Sequence, residues 1–337
     1  MAEAIGLPCR CHTSGRPAAS EVELTLIILF GNRHSMTSLQ VSLAGLNLRN
    51  PTMLASGIMD ETGASMRRMA EAGAGAVVTK SIGREARDGY PNPTLVELDD
   101  GYINAMGLPG PGIDAFEEEM VEAIKGPSPV IGSLFAATPE DFAFLAERMQ
   151  RYGAAAVELN LSCPHAKGYG MEIGVDPDAV RAIVQEVKRA VDIPVLAKLT
   201  PNTHLLADVG RAVERGGGDA IVAVNTVKAM AISVDARRPV LYNRTGGLSG
   251  PAIKGVGLRC VYELYGAVDI PIVGVGGIES ATDALEYMMA GAAAVQLGSA
   301  VGRVGIGVFG QVTNGMTKYL EANGMNSIGE VVGLAHE

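Results

Sequence analysis

The sequence predicts an α/β chain closed as one (β/α)8 barrel, with an N-terminal β-hairpin and long loops at the C-terminal face of the strands. Three observations predict it. From residue 53 onward, eight short apolar runs alternate with longer amphipathic stretches. Many of those stretches end in Gly-Ala or Gly-Gly just before the next run, the signature of a short return. The 337 residues are 47% hydrophobic but only 4% aromatic, with 43 Gly and no Trp, which suits a core of Val, Ile, Leu and Ala around parallel strands buried on both faces.

In chain order, residues 1–35 differ in composition from the remainder, and Met36 precedes a plausible first strand. The segment 1–35 is therefore expected to be an extension outside the fold, and 36–337 the catalytic barrel. Runs 39–43 and 46–48, separated by Ala44-Gly45, read as a hairpin plugging the bottom of the barrel. The barrel strands are expected over 53–56, 76–80, 130–135, 156–162, 195–200, 220–226, 272–276 and 294–299. Helical stretches between them include 61–72, 139–152, 177–190, 205–215, 281–290 and 309–321. Thr138-Pro139 and Asp176-Pro177 each place a capping oxygen before a proline in the first helical turn. Two connections, 81–112 and 227–251, are too long to be simple returns and follow strands on the C-terminal side. They are candidate walls of a substrate pocket.

The formal net charge of −10 offers no basic stripe for a phosphate backbone, which argues against nucleic acid as a partner. The apolar run 24–30 is far shorter than the roughly 20 residues a bilayer span needs, so no membrane anchor is expected. The four cysteines, at 9, 11, 163 and 260, show no disulfide framework and favour a reducing cytoplasm. Cys9-Arg10-Cys11-His12 lacks a second ligand pair, and no metal site is expected.

Chemistry concentrates at strand ends. The fourth strand runs through Asn160 and Leu161 into Ser162-Cys163-Pro164-His165 and a glycine-rich loop, delivering a thiol where α/β barrels keep their active sites. A buried, inert cysteine is the plainer alternative. Gly276-Gly277 and Gly298-Ser299 close the seventh and eighth strands, the usual phosphate cradle of such barrels, although glycines there also simply make tight turns. Lys80 closes the second strand and Lys198 interrupts the apolar fifth. Inward ammonium groups suit an anionic ring, and an internal ion pair with Glu158 is the structural alternative. Asn104, Asn160, Asn225 and Thr226 supply paired donors and acceptors of the kind that read a pyrimidine.

Taken together, Ala55-Ser56-Gly57, Thr79-Lys80-Ser81, Asn104-Ala105-Met106-Gly107-Leu108, Asn160-Leu161-Ser162-Cys163-Pro164, Ala197-Lys198-Leu199-Thr200-Pro201-Asn202, Asn225-Thr226, Gly246-Gly247-Leu248-Ser249-Gly250-Pro251, Gly276-Gly277 and Gly298-Ser299 resemble class 1 dihydroorotate dehydrogenases. The match runs in order across nearly everything after residue 39. It implies an FMN-containing TIM barrel that oxidises (S)-dihydroorotate to orotate in pyrimidine biosynthesis. By that resemblance Cys163 is the base that takes the C5 proton while the C6 hydride passes to flavin N5. A thiol of reference pKa about 8.5 can serve if its surroundings favour thiolate. Lys198 would face the flavin's pyrimidine end, with Ala55, Ser56, Lys80, Ser81, Asn160 and Val224 around the ring system. Gly250, Gly276, Gly277, Gly298 and Ser299 would hold the phosphate. Substrate would meet Lys80, Asn104, Asn160, Asn225, Thr226 and His165, its carboxylate held by the backbone of Met106, Gly107 and Leu108.

His165 departs from the family pattern, which has Asn after Cys-Pro. Cys-Pro-His is similar to the pyrimidine-reducing domain of dihydropyrimidine dehydrogenase, so uracil or thymine reduction is one alternative. A non-redox phosphate-binding isomerase or lyase is another, and a catalytically silent binding subunit a third. The Gly246–Lys254 stretch resembles the NAD-linked, partnered 1B branch. That branch implies a homodimer core joined by a subunit carrying FAD and an iron-sulfur cluster, since this chain has neither a cysteine cluster nor a dinucleotide fingerprint.

Overall fold

The computed structural model describes residues 37–161 and 173–336. Eight parallel strands close into a ring: Thr52–Leu54, Ala76–Val78, Val130–Leu134, Ala156–Asn160, Val195–Leu199, Ala220–Ala223, Ile272–Val275 and Ala292–Leu297. Each pairs with its neighbours in sequence, and the eighth closes on the first through Val295 beside Thr52. All eight expected strands are present, each ending one to three residues earlier than its apolar run. The chain leaves the ladder there to turn into the loops.

Helices pack outside the ring. Gly63–Glu71, Pro139–Arg151, Pro177–Ala190, Leu206–Arg215, Ala281–Met289 and Val308–Ala322 match the expected stretches. Two more, Glu117–Ala123 and Lys254–Tyr265, complete the alternation. Thr138 and Asp176 cap their helices as the sequence implies, each with proline in the first turn. The returns at Gly73, Gly153, Gly217 and Gly291 all take positive φ. Among the described residues no helix is long and apolar enough to cross a membrane.

Strand periodicity sorts the core into two layers. Residues such as Val157, Leu159, Ala197 and Val295 face the helices. Alternate residues, including Met53, Ala76, Ile131, Ala156, Leu196 and Ala294, fill the lower barrel interior. There they meet Leu43 and Leu48 of the antiparallel hairpin Val41–Leu43 and Leu46–Leu48. The hairpin therefore closes the barrel floor, and each fully buried leucine contributes about 1.5–3 kcal/mol of transfer free energy.

The two long connections are more ordered than loops. Leu95–Leu98, Gly101–Asn104, Val227–Ala229 and Gly246–Ser249 form a four-stranded antiparallel sheet that draws both connections together. Asn104, expected in a loop, ends one of its strands.

Candidate active site

A cavity of about 550 Å³ opens over the C-terminal ends of the barrel strands, within the size range of small-molecule and cofactor sites. The period of two that buries alanine and leucine low in the barrel carries polar side chains into the same interior higher up. On the second strand the inward series runs Ala76, Val78, then Lys80 just past the strand end. On the fourth it runs Ala156, Glu158, Asn160, on the fifth Leu196, Lys198, and on the eighth Ala294, Gln296.

Three of these residues form a buried polar layer across the barrel. Lys198 Nζ lies 3.2 Å from Glu158 Oε1 and donates to Gln296 Oε1 at 3.1 Å. Gln296 Nε2 in turn donates to Glu158 Oε2 at 2.6 Å. Burial of either charge alone would be costly, and the pair with its bridging amide offsets that cost. Glu158 Oε1 is close enough to Lys198 for attraction but lies outside hydrogen-bond geometry, so the pair is an electrostatic contact and the amide makes the directional bonds. Lys198 thus takes the internal ion pair and also lines the cavity. Lys80 Nζ, the cavity's other ammonium, pairs with Glu61 Oε1 at 2.8 Å.

Above this layer the amides and hydroxyls connect. Asn225 Nδ2 donates to Asn160 Oδ1 at 3.4 Å, and Asn160 Nδ2 donates to Ser81 Oγ at 3.0 Å. Ser81 Oγ lies 2.8 Å from Ser133 Oγ and 3.4 Å from Ser56 Oγ. Asn104 Nδ2 reaches the Gly247 carbonyl at 3.5 Å, tying the cavity to the covering sheet.

Across the ring from Asn160, bare backbone lines the cavity at Gly250, Gly276, Gly277, Gly298 and Ser299. Gly277 has φ +69°, and a Cβ there would sit 2.8 Å from the Gly250 carbonyl oxygen. Only glycine lets these two loops close on one another. Tyr287, fully buried behind them, donates its hydroxyl to the Gly276 carbonyl at 2.7 Å. A second stretch lining the cavity is Met106-Gly107-Leu108. The Met106 carbonyl accepts from Tyr90 N at 2.9 Å, and Leu108 takes a positive φ of 57°. Among the described residues the amides of these three find no acceptor.

Every expected site residue within the described part lines this one cavity: Ala55, Ser56, Lys80, Ser81, Asn104, Met106, Gly107, Leu108, Asn160, Lys198, Val224, Asn225, Thr226, Gly250, Gly276, Gly277, Gly298 and Ser299. Cys163 and His165 lie outside the described residues, as does the Cys9–His12 segment. Cys260 is the remaining cysteine. It is fully buried, and desolvation, opposed in part by Arg259, pushes its thiol up to about 11, which makes it an inert core residue. Sequence reasoning missed Gln296, Glu61 and Tyr102 in the lining. Gln296 carried a readable signal, a lone amide inside the apolar run Ala292–Leu297, of the same kind that marked Lys198.

Comparison with known proteins agrees with this geometry. A model of the dihydroorotate dehydrogenase family matches residues 38–320. The chain is 53% identical over 292 residues to the dihydroorotate dehydrogenase B (NAD(+)) catalytic subunit of Methanocella arvoryzae, covering 87% of this chain and 96% of that one. It is 54% identical over 297 residues to the subunit of the same name from Pyrococcus horikoshii, covering 88% and 97%. A crystal structure of DHODH from Eimeria tenella in complex with ferulenol shares the fold, with a TM-score of 0.79 at 21% identity over 94% of both chains. A closed parallel barrel, a cavity lined by each expected site residue within the described part and this extent of identity place the chain in the dihydroorotate dehydrogenase family, among its B-type catalytic subunits.

Proposed function

We propose that this chain is the catalytic subunit of a cytoplasmic, FMN-dependent dihydroorotate dehydrogenase that oxidises (S)-dihydroorotate to orotate for pyrimidine synthesis. The observation that carries the reading is the cavity's divided lining. Bare backbone from the seventh and eighth strands and Gly250 stands across the ring from the Asn160 amide of the fourth strand, to which the Asn225 amide donates. The residues fit a flavin mononucleotide. The glycines at 250, 276 and 277 are packed so closely against Gly101, Tyr287 and one another that no Cβ fits, and they present bare backbone to the cavity, suited to a phosphate. Ala55, Ser56, Ser81, Asn160 and Val224 would flank the ring system, and Lys198 would present positive charge to its pyrimidine end.

When bound, the flavin supplies the hydride acceptor for C6 of the substrate. The remaining work belongs to side chains of this chain. Asn104, Asn160, Asn225 and Thr226 orient the dihydropyrimidine through its amide and carbonyl groups, with Lys80 and His165 adding donors. The free amides of Met106, Gly107 and Leu108 hold its carboxylate. Cys163 Sγ, as thiolate, accepts the C5 proton, and the electron pair of that C–H bond becomes part of the new C5–C6 double bond. The barrel is proposed to start at Met36, with residues 1–35 outside it. Reoxidation by NAD calls for a partner subunit, as the names of the B-type relatives imply for those proteins. We assign that partner FAD and an iron-sulfur cluster, joined to a homodimer of this chain.

The test is to purify the chain, load it with FMN and follow orotate formation with dihydroorotate against uracil reduction, with NAD, fumarate and a quinone as acceptors. Flavin uptake and dihydroorotate oxidation are expected, with NAD inactive until the partner is added. A protein that takes up no FMN rejects the dehydrogenase reading, and preference for uracil assigns the chain to pyrimidine reduction. Cys163→Ala is expected to keep its flavin and lose about 10²–10⁴-fold in turnover. Undiminished oxidation removes Cys163 as the base.

A further inference from the structure

Asn202 stands just beyond the fifth strand and does not line the cavity, yet its amide makes bonds to three residues in two segments. Its Nδ2 donates to Thr200 Oγ1 at 3.0 Å and to the Thr226 carbonyl at 3.1 Å. Its Oδ1 accepts from Lys228 N at 2.9 Å. Thr200 Oγ1 also accepts from Asn202 N at 3.1 Å, and this fixes the side chain's direction.

The segment so held is the one that carries Asn225 and Thr226 and then enters the covering sheet at Val227–Ala229. Asn225 N donates to the Leu199 carbonyl at 2.9 Å, so one wall of the cavity hangs between the fifth strand's own end and the Asn202 amide. The fit downstream is tight. A Cβ at Gly247 would fall 2.0 Å from Thr226 Oγ1, so Thr226 is pressed against the covering strand and a small displacement of its backbone is not absorbed.

We infer that Asn202 is a positioning residue for substrate recognition: by clamping the backbone of residues 226 and 228 it sets where Asn225 and Thr226 stand in the cavity. The inference rests on the proposed dihydroorotate reading, in which those two residues face the substrate ring. Groups that must match a rigid ring lose their benefit over small misplacements, so the clamp acts on affinity without touching substrate. Asn202→Asp is the sharpest variant. It keeps the acceptor for Lys228 N but sets a carboxylate oxygen against the Thr226 carbonyl. Asn202→Ala removes all three side-chain bonds, and Thr200→Val removes the hydroxyl that aims the amide.

The experiment measures orotate binding to each FMN-loaded variant by calorimetry, KM and kcat for dihydroorotate, flavin content, melting temperature and hydrogen exchange over residues 225–231. Asn202→Asp and Asn202→Ala are expected to weaken orotate binding and raise KM at least tenfold. The value of kcat should change less than threefold, with flavin content retained and exchange over 225–231 accelerated. Thr200→Val should move the same quantities in the same direction by less. Orotate affinity within twofold of wild type in Asn202→Asp, or unchanged exchange over 225–231, overturns the inference. So does a loss confined to melting temperature, which would make Asn202 a structural residue only. Wild-type protein that binds no orotate rejects the dihydroorotate reading instead, and the exchange measurement still decides whether Asn202 holds the segment.

Discussion

Asp60 shows how a single carboxyl buried in the loop beside the cavity answers to its surroundings. It is 1% exposed, its Oδ2 accepts from Gly57 N at 2.5 Å, and its Oδ1 has no hydrogen-bond partner among the described residues. Desolvation outweighs the Gly57 hydrogen bond and the attraction of Lys80, and raises its pKa to about 6 from an ordinary 3.8. Because the folded value is the higher one, the resulting stabilisation is fully present below about 3.8 and is lost as pH rises through about 6. At about 1.4 kcal/mol per pKa unit, the ionised side chain costs the fold about 3 kcal/mol at neutral pH. Chemical denaturation of wild type and Asp60→Asn between pH 8 and pH 5 should therefore show wild type gaining on the variant as the pH falls. A pH-independent difference would remove Asp60 as the titrating group. Nothing in Ile58-Met59-Asp60-Glu61 announces this burial, because it depends on how the loop folds back over Lys80.

At the scale of elements, the helix Ala281–Met289 supports the glycine cradle through Tyr287. Tyr287→Phe strips the Gly276 carbonyl of a buried donor, a loss of about 1–3 kcal/mol. The variant is expected to bind FMN several-fold more weakly in a fluorescence titration of apoprotein while its cavity-lining residues stay unchanged. Equal affinity would show that the loop holds its shape without the hydroxyl. The helix starts and returns were legible because their signals are local, as at Thr138-Pro139 and Asp176-Pro177. The covering sheet was not legible. Its strands are three or four residues long, and Gly246–Ser249 pairs with Gly101–Asn104 from a distant part of the chain, so no short-range pattern reports it.

At the largest scale, the described residues form a barrel closed below by its hairpin and roofed above by the paired connections. Leu43, fully buried among the inward residues of the strands, tests the floor. Leu43→Ala is expected to lower stability by about 2–5 kcal/mol in denaturant unfolding, with KM for dihydroorotate unchanged because the cavity lies at the other end. A change in KM without a stability loss would contradict that separation. The sequence by itself determined the eightfold alternation and the strand-end glycine pairs, since these are periodic or strand-end signals written in neighbouring residues. It also marked Lys80, Lys198 and the asparagines as unusual, because a polar residue in an apolar strand is visible without a structure. Only the tertiary structure decided that Lys198 shares Glu158 with Gln296 across the barrel, that Asn202 grips the segment after the sixth strand, and that Asp60 is buried. Each of these depends on residues brought together from separate strands and loops, and ring closure alone sets which side chains meet.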